Sequence, residues 1–104
     1  MKSVDIDRGK RLRDEPQTGH NRWHPDIPPI LEADPEEEIV LGTRDASDGQ
    51  IVFGATETDT ANISRGAVHP LTGPVYVKGA RPGDLLEIEY LDITPEPTGW
   101  TRIA

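Results

Sequence analysis

The alternation of apolar and polar positions is clearest late in the chain. In GDLLEIEYLDI, Gly83 to Ile93, the residues Leu86, Ile88 and Tyr90 alternate with Glu87 and Glu89. That is the period-two signature of a half-buried strand. The alternation slips at Leu91, which predicts a bulge or the start of a bend. Three shorter runs, EEEIVLGT, GQIVFGAT and GPVYVKG, are β-branched or apolar and bounded by glycine or a turn, and each predicts a short strand. ARPGD, just before the long run, has Pro82 followed by Gly83, the preferred central pair of a type II turn. Helical periodicity is absent, apart from a turn around Asp59–Ser64. The pattern predicts a mostly β protein, a small barrel-like or sandwich-like domain over residues 20–104 with an extended Pro-rich N-terminal arm. Residues 1–19 are polar, of mixed charge and aperiodic, which predicts a flexible lead-in.

A weak internal echo runs through this pattern. ADPEEEIVL from Ala33 and ARPGDLLEI from Ala80 share Ala-x-Pro-x-acid-x-apolar, and the same offset of 47 residues places Asp45 on Asp92. Two similar turn–strand units suit a barrel or sandwich built from related hairpins.

HNRWHPDIPP, His20 to Pro29, sets two histidines four residues apart, the spacing of a shared metal site on one helix face. Proline removes that reading. Pro25 pushes His24 out of the α region, and Pro28 and Pro29 each remove a backbone donor. The stretch should be an extended arm on a surface, with Trp23 and Ile27 as apolar anchors. His24 is then either a solvent-exposed imidazole or a side chain reaching a functional pocket.

Composition narrows the partners. Only 34% of the 104 residues are hydrophobic and 5% aromatic, with ten glycines and ten prolines. So thin a core belongs to a loop-rich domain or to one completed by another chain. The net charge of −8 argues against nucleic acid, whose phosphates need clustered Lys and Arg. The basic group Lys10, Arg11 and Arg13 is answered at once by Asp14 and Glu15 and reads as a solvated segment. The absence of cysteine excludes disulfides, zinc–thiolate sites and thiol nucleophiles. No stretch resembles a signal peptide or a membrane span, so a cytoplasmic location without membrane attachment is expected.

Candidate chemistry lies in two loops. RDASDGQI, Arg44 to Ile51, interrupts the β pattern. Asp48-Gly49 reads as an ordinary turn. Asp45 follows an apolar run, where a carboxylate at a strand end is well placed to bind a hard or borderline cation. AVHPLTGPVYV, Ala67 to Val77, places His69 directly before Pro70 in a loop that Pro70 and Pro74 stiffen. His69 is open to three readings: metal ligand, general base or packed loop residue. A complete metal site needs three or four ligands, and Asp45, Asp48 and His69 supply only some of them. No serine stands in a G-x-S-x-G setting, and no G-x-G-x-x-G follows a strand.

Four separated segments, HNRWHPDIPP, RDASDGQI, HPLTGPVYVKGARPGDLLEIEYLDI and the tail GWTRI, together resemble the N-terminal part of the acetamidase/formamidase family, from Gly19 to about Ile103. The resemblance implies a mostly β amidohydrolase that cleaves formamide, acetamide or related small amides to ammonia and the carboxylate. It also implies a divalent metal ion, zinc before calcium, and an oligomeric assembly. It carries over Asp45 as metal ligand and catalytic residue, His69 in the same two roles, and Gln50 as a substrate-binding residue; His24 joins Gln50 as a substrate-binding candidate through its place in the arm, not through the resemblance. Family members run to roughly three times this length, beyond a single small domain. The resemblance therefore implies a split subunit, a cleavage product or an N-terminal piece that works with a complementary larger chain. The rival expectation is a non-catalytic β-barrel interaction module or a structural subunit of a larger complex.

Overall fold

In the computed structural model, residues 1–101 are described; Arg102 and Ile103 of the GWTRI tail lie outside them. The strands are short: β1 (Lys2–Val4), β2 (Gly19–His20), β3 (Leu31–Ala33), β4 (Ile39–Leu41), β5 (Leu71–Thr72) and β6 (Val75–Val77), with one helix, α1 (Glu57–Ala61), between β4 and β5. They form three two-stranded ladders: β1 with β4 and β3 with β6 in parallel, β2 with β5 antiparallel. The protein is mostly strands with few helices, the class expected, although the run with the clearest alternation is not among those strands. The barrel is not formed, because strands of two or three residues paired only two by two leave every ladder open-edged among the described residues.

The expected strands of EEEIVLGT and GPVYVKG are β4 and β6. GQIVFGAT is not a strand. Gly54 takes φ +88° and Ala55 N–H donates to Val52 C=O at 3.0 Å, so the run folds into a turn that buries Ile51 and leaves Phe53 outside. The turn expected at Asp59–Ser64 is α1, which starts earlier because Thr56 caps it. Thr56 Oγ1 accepts from Asp59 N–H, and the Asp59 carboxylate accepts from Thr56 N–H, a reciprocal capping box. That backbone hydrogen bond from Thr56, followed by the one from its hydroxyl, holds the Asp59 carboxyl below its ordinary pKa.

The long run Leu85–Ile93 is the main departure. None of it is strand, and its backbone makes no hydrogen bond to a described residue. Leu85, Leu86, Ile88, Tyr90, Leu91 and Ile93 are all exposed. A strand exists only where a second one pairs with it, and no described segment reaches this one. With no ladder formed, there is also no bulge at Leu91.

His20–Pro29 contains no helix. After β2 the chain turns, with Ile27 N–H donating to His24 C=O at 3.3 Å. Trp23 does not anchor it: the indole is 92% exposed. Local bonds turn the segment on itself instead of onto a sheet, Arg22 N–H donating to His20 Nδ1 and Asp26 N–H to His24 Nδ1.

Two glycines allow the ladders to approach. A Cβ on Gly19 would fall on the Leu71 carbonyl oxygen across the β2–β5 ladder, and one on Gly42 would crowd Ile6 at 3.1 Å. Thr72 Oγ1 donates to Gly42 C=O at 2.5 Å and ties that ladder to the end of β4. Residues 1–19 contribute β1, two short 3-10 turns and ion pairs to the body of the domain. Among the described residues the buried positions are few: the polar Thr18, Ser47 and Asp48 beside Ala33, Ile51, Pro70 and Gly73. Among the described residues no helix is long and apolar enough to cross a membrane.

Candidate functional site

The loop after β4 is built on two aspartates with opposite surroundings. Asp48 is 4% exposed. Its carboxylate accepts from Leu12 N–H at 3.0 and 3.2 Å and lies 3.6 Å from Arg11 Nε and 3.8 Å from Arg44 Nε. Arg44, with a side chain 6% exposed, donates to Glu15 Oε1 at 2.6 Å and Thr18 Oγ1 at 2.9 Å. Two guanidinium groups and two carboxylates thus balance in one cluster. The Nε atoms of Arg11 and Arg44 are buried without a hydrogen-bond partner of their own, so the charge of Asp48 is their compensation.

Asp45, exposed, organises the turn itself. It accepts from Ser47 Oγ at 2.5 Å, Ser47 N–H at 3.2 Å and Gly49 N–H at 2.7 Å. Ser47 Oγ in turn accepts from Ile51 N–H at 3.0 Å. These are the bonds by which an aspartate nucleates a turn. Asp48, at φ +58°, and Gly49, at φ +80°, take the left-handed positions that this turn requires. Gln50 clamps the next loop: its Nε2 donates to Ser47 C=O and Ser64 C=O, and its Oε1 accepts from Ser64 N–H at 2.6 Å.

His69 lies against this turn through its backbone, its N–H donating to Ala46 C=O at 2.7 Å. The imidazole is exposed and the residue holds φ +60°, an uncommon conformation that histidine adopts more readily than most residues. Asp45, Gln50 and His69 therefore belong to adjoining loops. Among the described residues His24 bonds only within its own turn, at Asp26 and Ile27. Asp45 and Ala46 also form one wall of a cleft of about 400 Å³, whose other wall is Thr98, Gly99, Trp100 and Thr101.

Zinc or calcium was expected here. Among the described residues, no three His, Asp or Glu side chains are grouped to hold an ion, and the Asp45 carboxylate is engaged by its own turn. The residues present do not by themselves fit a metal site.

Sequence reasoning did not single out Arg44 and Glu15 as partners, or the Trp100 wall. Arg44 and Asp48 at i and i+4 were a visible signal. Glu15 was not, since only folding brings it 2.6 Å from Arg44.

The sequence profile of the Acetamidase/Formamidase family matches residues 5–103. An acetamidase of Mycolicibacterium smegmatis is 41% identical over 92 residues, covering 88% of this chain and 23% of that protein. A formamidase of Methylophilus methylotrophus is 37% identical over 90 residues, covering 86% and 22%. The solved structure of a gamma lactamase from Delftia acidovorans superposes with a TM-score of 0.71 at 38% identity, over 80% of this chain and 20% of that one. The chain thus spans about a quarter of the length of the relatives it matches, a larger disparity than the threefold one expected.

Proposed function

The chain belongs to the acetamidase/formamidase family, and from that premise we propose that it forms one part of a small-amide hydrolase whose remaining residues lie in a larger portion of family sequence. The reaction is R–CO–NH2 + H2O → R–COO⁻ + NH4⁺. The observation that carries the reading is the joining of the Asp45 turn to the His69 loop beside the cleft walled by Trp100.

In this proposal His69 moves the proton that the leaving nitrogen needs, a task suited to an imidazole near neutral pH. Asp45 fixes the turn that faces it, and the carboxylate keeps lone-pair capacity beyond its three bonds. Gln50, with both amide donors engaged, has acceptor capacity left on Oε1 for a substrate N–H. His24 is assigned substrate contact from its exposure alone. A divalent ion enters only with ligands from outside this chain, because Asp45 and His69 are two donors and a zinc site takes three or four.

The second reading is a structural unit that shapes a larger catalytic part, favoured by the engagement of Asp45 in its own turn. The test is ammonia release from formamide and acetamide by this chain combined with the remainder of the family sequence. Asp45→Ala and His69→Ala should each lower kcat by about 100-fold or more while the assembly persists; Gln50→Ala and His24→Ala should raise KM. Full activity in the Asp45 and His69 variants would select the structural reading.

A further inference from the structure

The internal echo recurs in three dimensions. In the first unit Pro35 precedes Glu36 at φ +69°, Glu37 N–H donates to Asp34 C=O at 3.1 Å, and Asp34 N–H donates to the Glu37 carboxylate at 2.9 Å. In the second, Pro82 precedes Gly83 at φ +96°, Asp84 N–H donates to Arg81 C=O at 3.0 Å, and Arg81 N–H donates to the Asp84 carboxylate at 2.9 Å. Both are type II-like turns locked by an acid at the fourth position. Farther along, Ser47 Oγ donates to Asp45 and, at the same offset, Thr94 Oγ1 meets Asp92 at 3.5 Å. β3 and β6, the strands before the two turns, pair with each other.

The units differ in one respect. After the first turn the chain enters β4, which takes β1 in parallel with Lys2 opposite Ile39 and Val4 opposite Leu41. The residues 47 positions after Ile39–Leu41 are Leu86–Ile88. They alternate as a strand should, are paired with no described residue, and stand in solvent with Ile88 66% exposed. Arg8 Nε pairs with Glu96 at 2.8 Å just beyond, so the run is tethered to the body on that side.

We infer that Leu86–Ile88 is the second unit's β4 equivalent and receives a parallel β-strand from the larger remaining portion of the acetamidase/formamidase polypeptide. The inference rests on the proposed function only in needing that larger portion to exist. Its length argues for this occupant, since relatives are more than four times longer than the matched region. A second copy fits less well: its β1-like strand is already taken by its own β4. Backbone bonds to the incoming strand would supply register, and the face bearing Leu86, Ile88 and Tyr90 would be covered, leaving Glu87 and Glu89 outside.

The experiment is hydrogen–deuterium exchange with size-exclusion chromatography. The 104-residue chain is studied alone and co-produced with the Mycolicibacterium smegmatis acetamidase lacking its matched segment. Amides of residues 85–91 should exchange at least 10-fold more slowly in the complex. Ile88→Lys should weaken co-elution at least 10-fold, and Glu87→Lys should not. As a control that needs no reassembly, the intact acetamidase should protect the amides aligned with Leu86–Ile88. Fast exchange there, equal effects of the two substitutions, or protection produced by self-association of this chain would each overturn the inference. A complex that protects the strip yet releases no ammonia would overturn the amidase proposal and leave this one standing.

Discussion

Replacing Asp48 tests whether the charged cluster holds the candidate site together. Asparagine keeps the shape, an oxygen for Leu12 N–H and tolerance of φ +58°, so Asp48→Asn removes little but charge. The arginines at 3.6 and 3.8 Å each gain about 4 kcal/mol from such a charge at an effective dielectric near 20. Returning Asp48's own desolvation offsets part of this. Removing one partner of a buried pair costs about 3–5 kcal/mol. Glu15 and Thr18 still hold Arg44, and we expect the lower end, about 3 kcal/mol. Asp48→Ala also strands Leu12 N–H, about 1–3 kcal/mol, and loses the tolerance of the left-handed region that aspartate has and alanine lacks, up to about 1–2 kcal/mol. It should therefore approach the whole stability of a small domain, about 5 kcal/mol at the low end. Urea unfolding followed by circular dichroism reads the difference: with an m-value of about 1–2 kcal/mol/M, asparagine should lower the midpoint by about 1.5–3 M. Arg11→Met in the asparagine background should restore part of the loss. A cost below about 1 kcal/mol for Asp48→Asn would refute the view that Asp48 compensates the two buried Nε atoms.

Gly19→Ala should destabilise by about 1–3 kcal/mol in the same assay, because its methyl meets backbone at Leu71 and backbone cannot rotate away. Glu37 receives the backbone N–H of Asp34 and, beyond that, the Lys2 ammonium, which together hold its carboxyl below the ordinary glutamate pKa. A depressed folded value means stability that is present above the ordinary pKa and lost as pH falls through the lower folded one. Acid unfolding of Glu37→Gln should lack that component, and carboxyl NMR titration should place Glu37 below a free glutamate. His69→Gly should relieve the φ +60° backbone and raise stability relative to His69→Ala by about 1 kcal/mol, while both abolish any proton-transfer role.

Local signals were legible in the sequence, and long-range ones were not. The type II turn at Pro82-Gly83 and strands β4 and β6 follow from the chemistry of their own residues. The offset of 47 residues was visible, but its meaning was not until both turns showed the same acid-to-backbone lock. Trp23 and Leu85–Ile93 misled for one reason: an apolar side chain marks a surface to be buried without naming what buries it. Asp45 was singled out, though among the described residues its carboxylate bonds lie with Ser47 and Gly49 alone. Asp48 read as an ordinary turn residue because its partners Arg11 and Leu12 are far away in sequence.

The polar interior explains why a chain with 34% hydrophobic residues can still position a loop. Burial of Thr18, Ser47 and Asp48 contributes little hydrophobic stabilisation. Their bonds are directional, however, and those of Leu12 to Asp48 and of Arg44 to Glu15 and Thr18 cross between segments, while Ile51 to Ser47 fixes the loop itself. Such a centre fixes geometry at a cost in stability. The N-terminal segment therefore acts on the site through Asp48, since a change at Arg11 or Leu12 is felt three residues from Asp45. It follows that Arg11→Ala, remote in sequence from both loops, should loosen the Asp45 turn. Faster amide exchange at Ser47 and Gly49, with β3 and β6 unaffected, is the expected result. Uniform acceleration across the chain would instead show that Arg11 supports the fold as a whole.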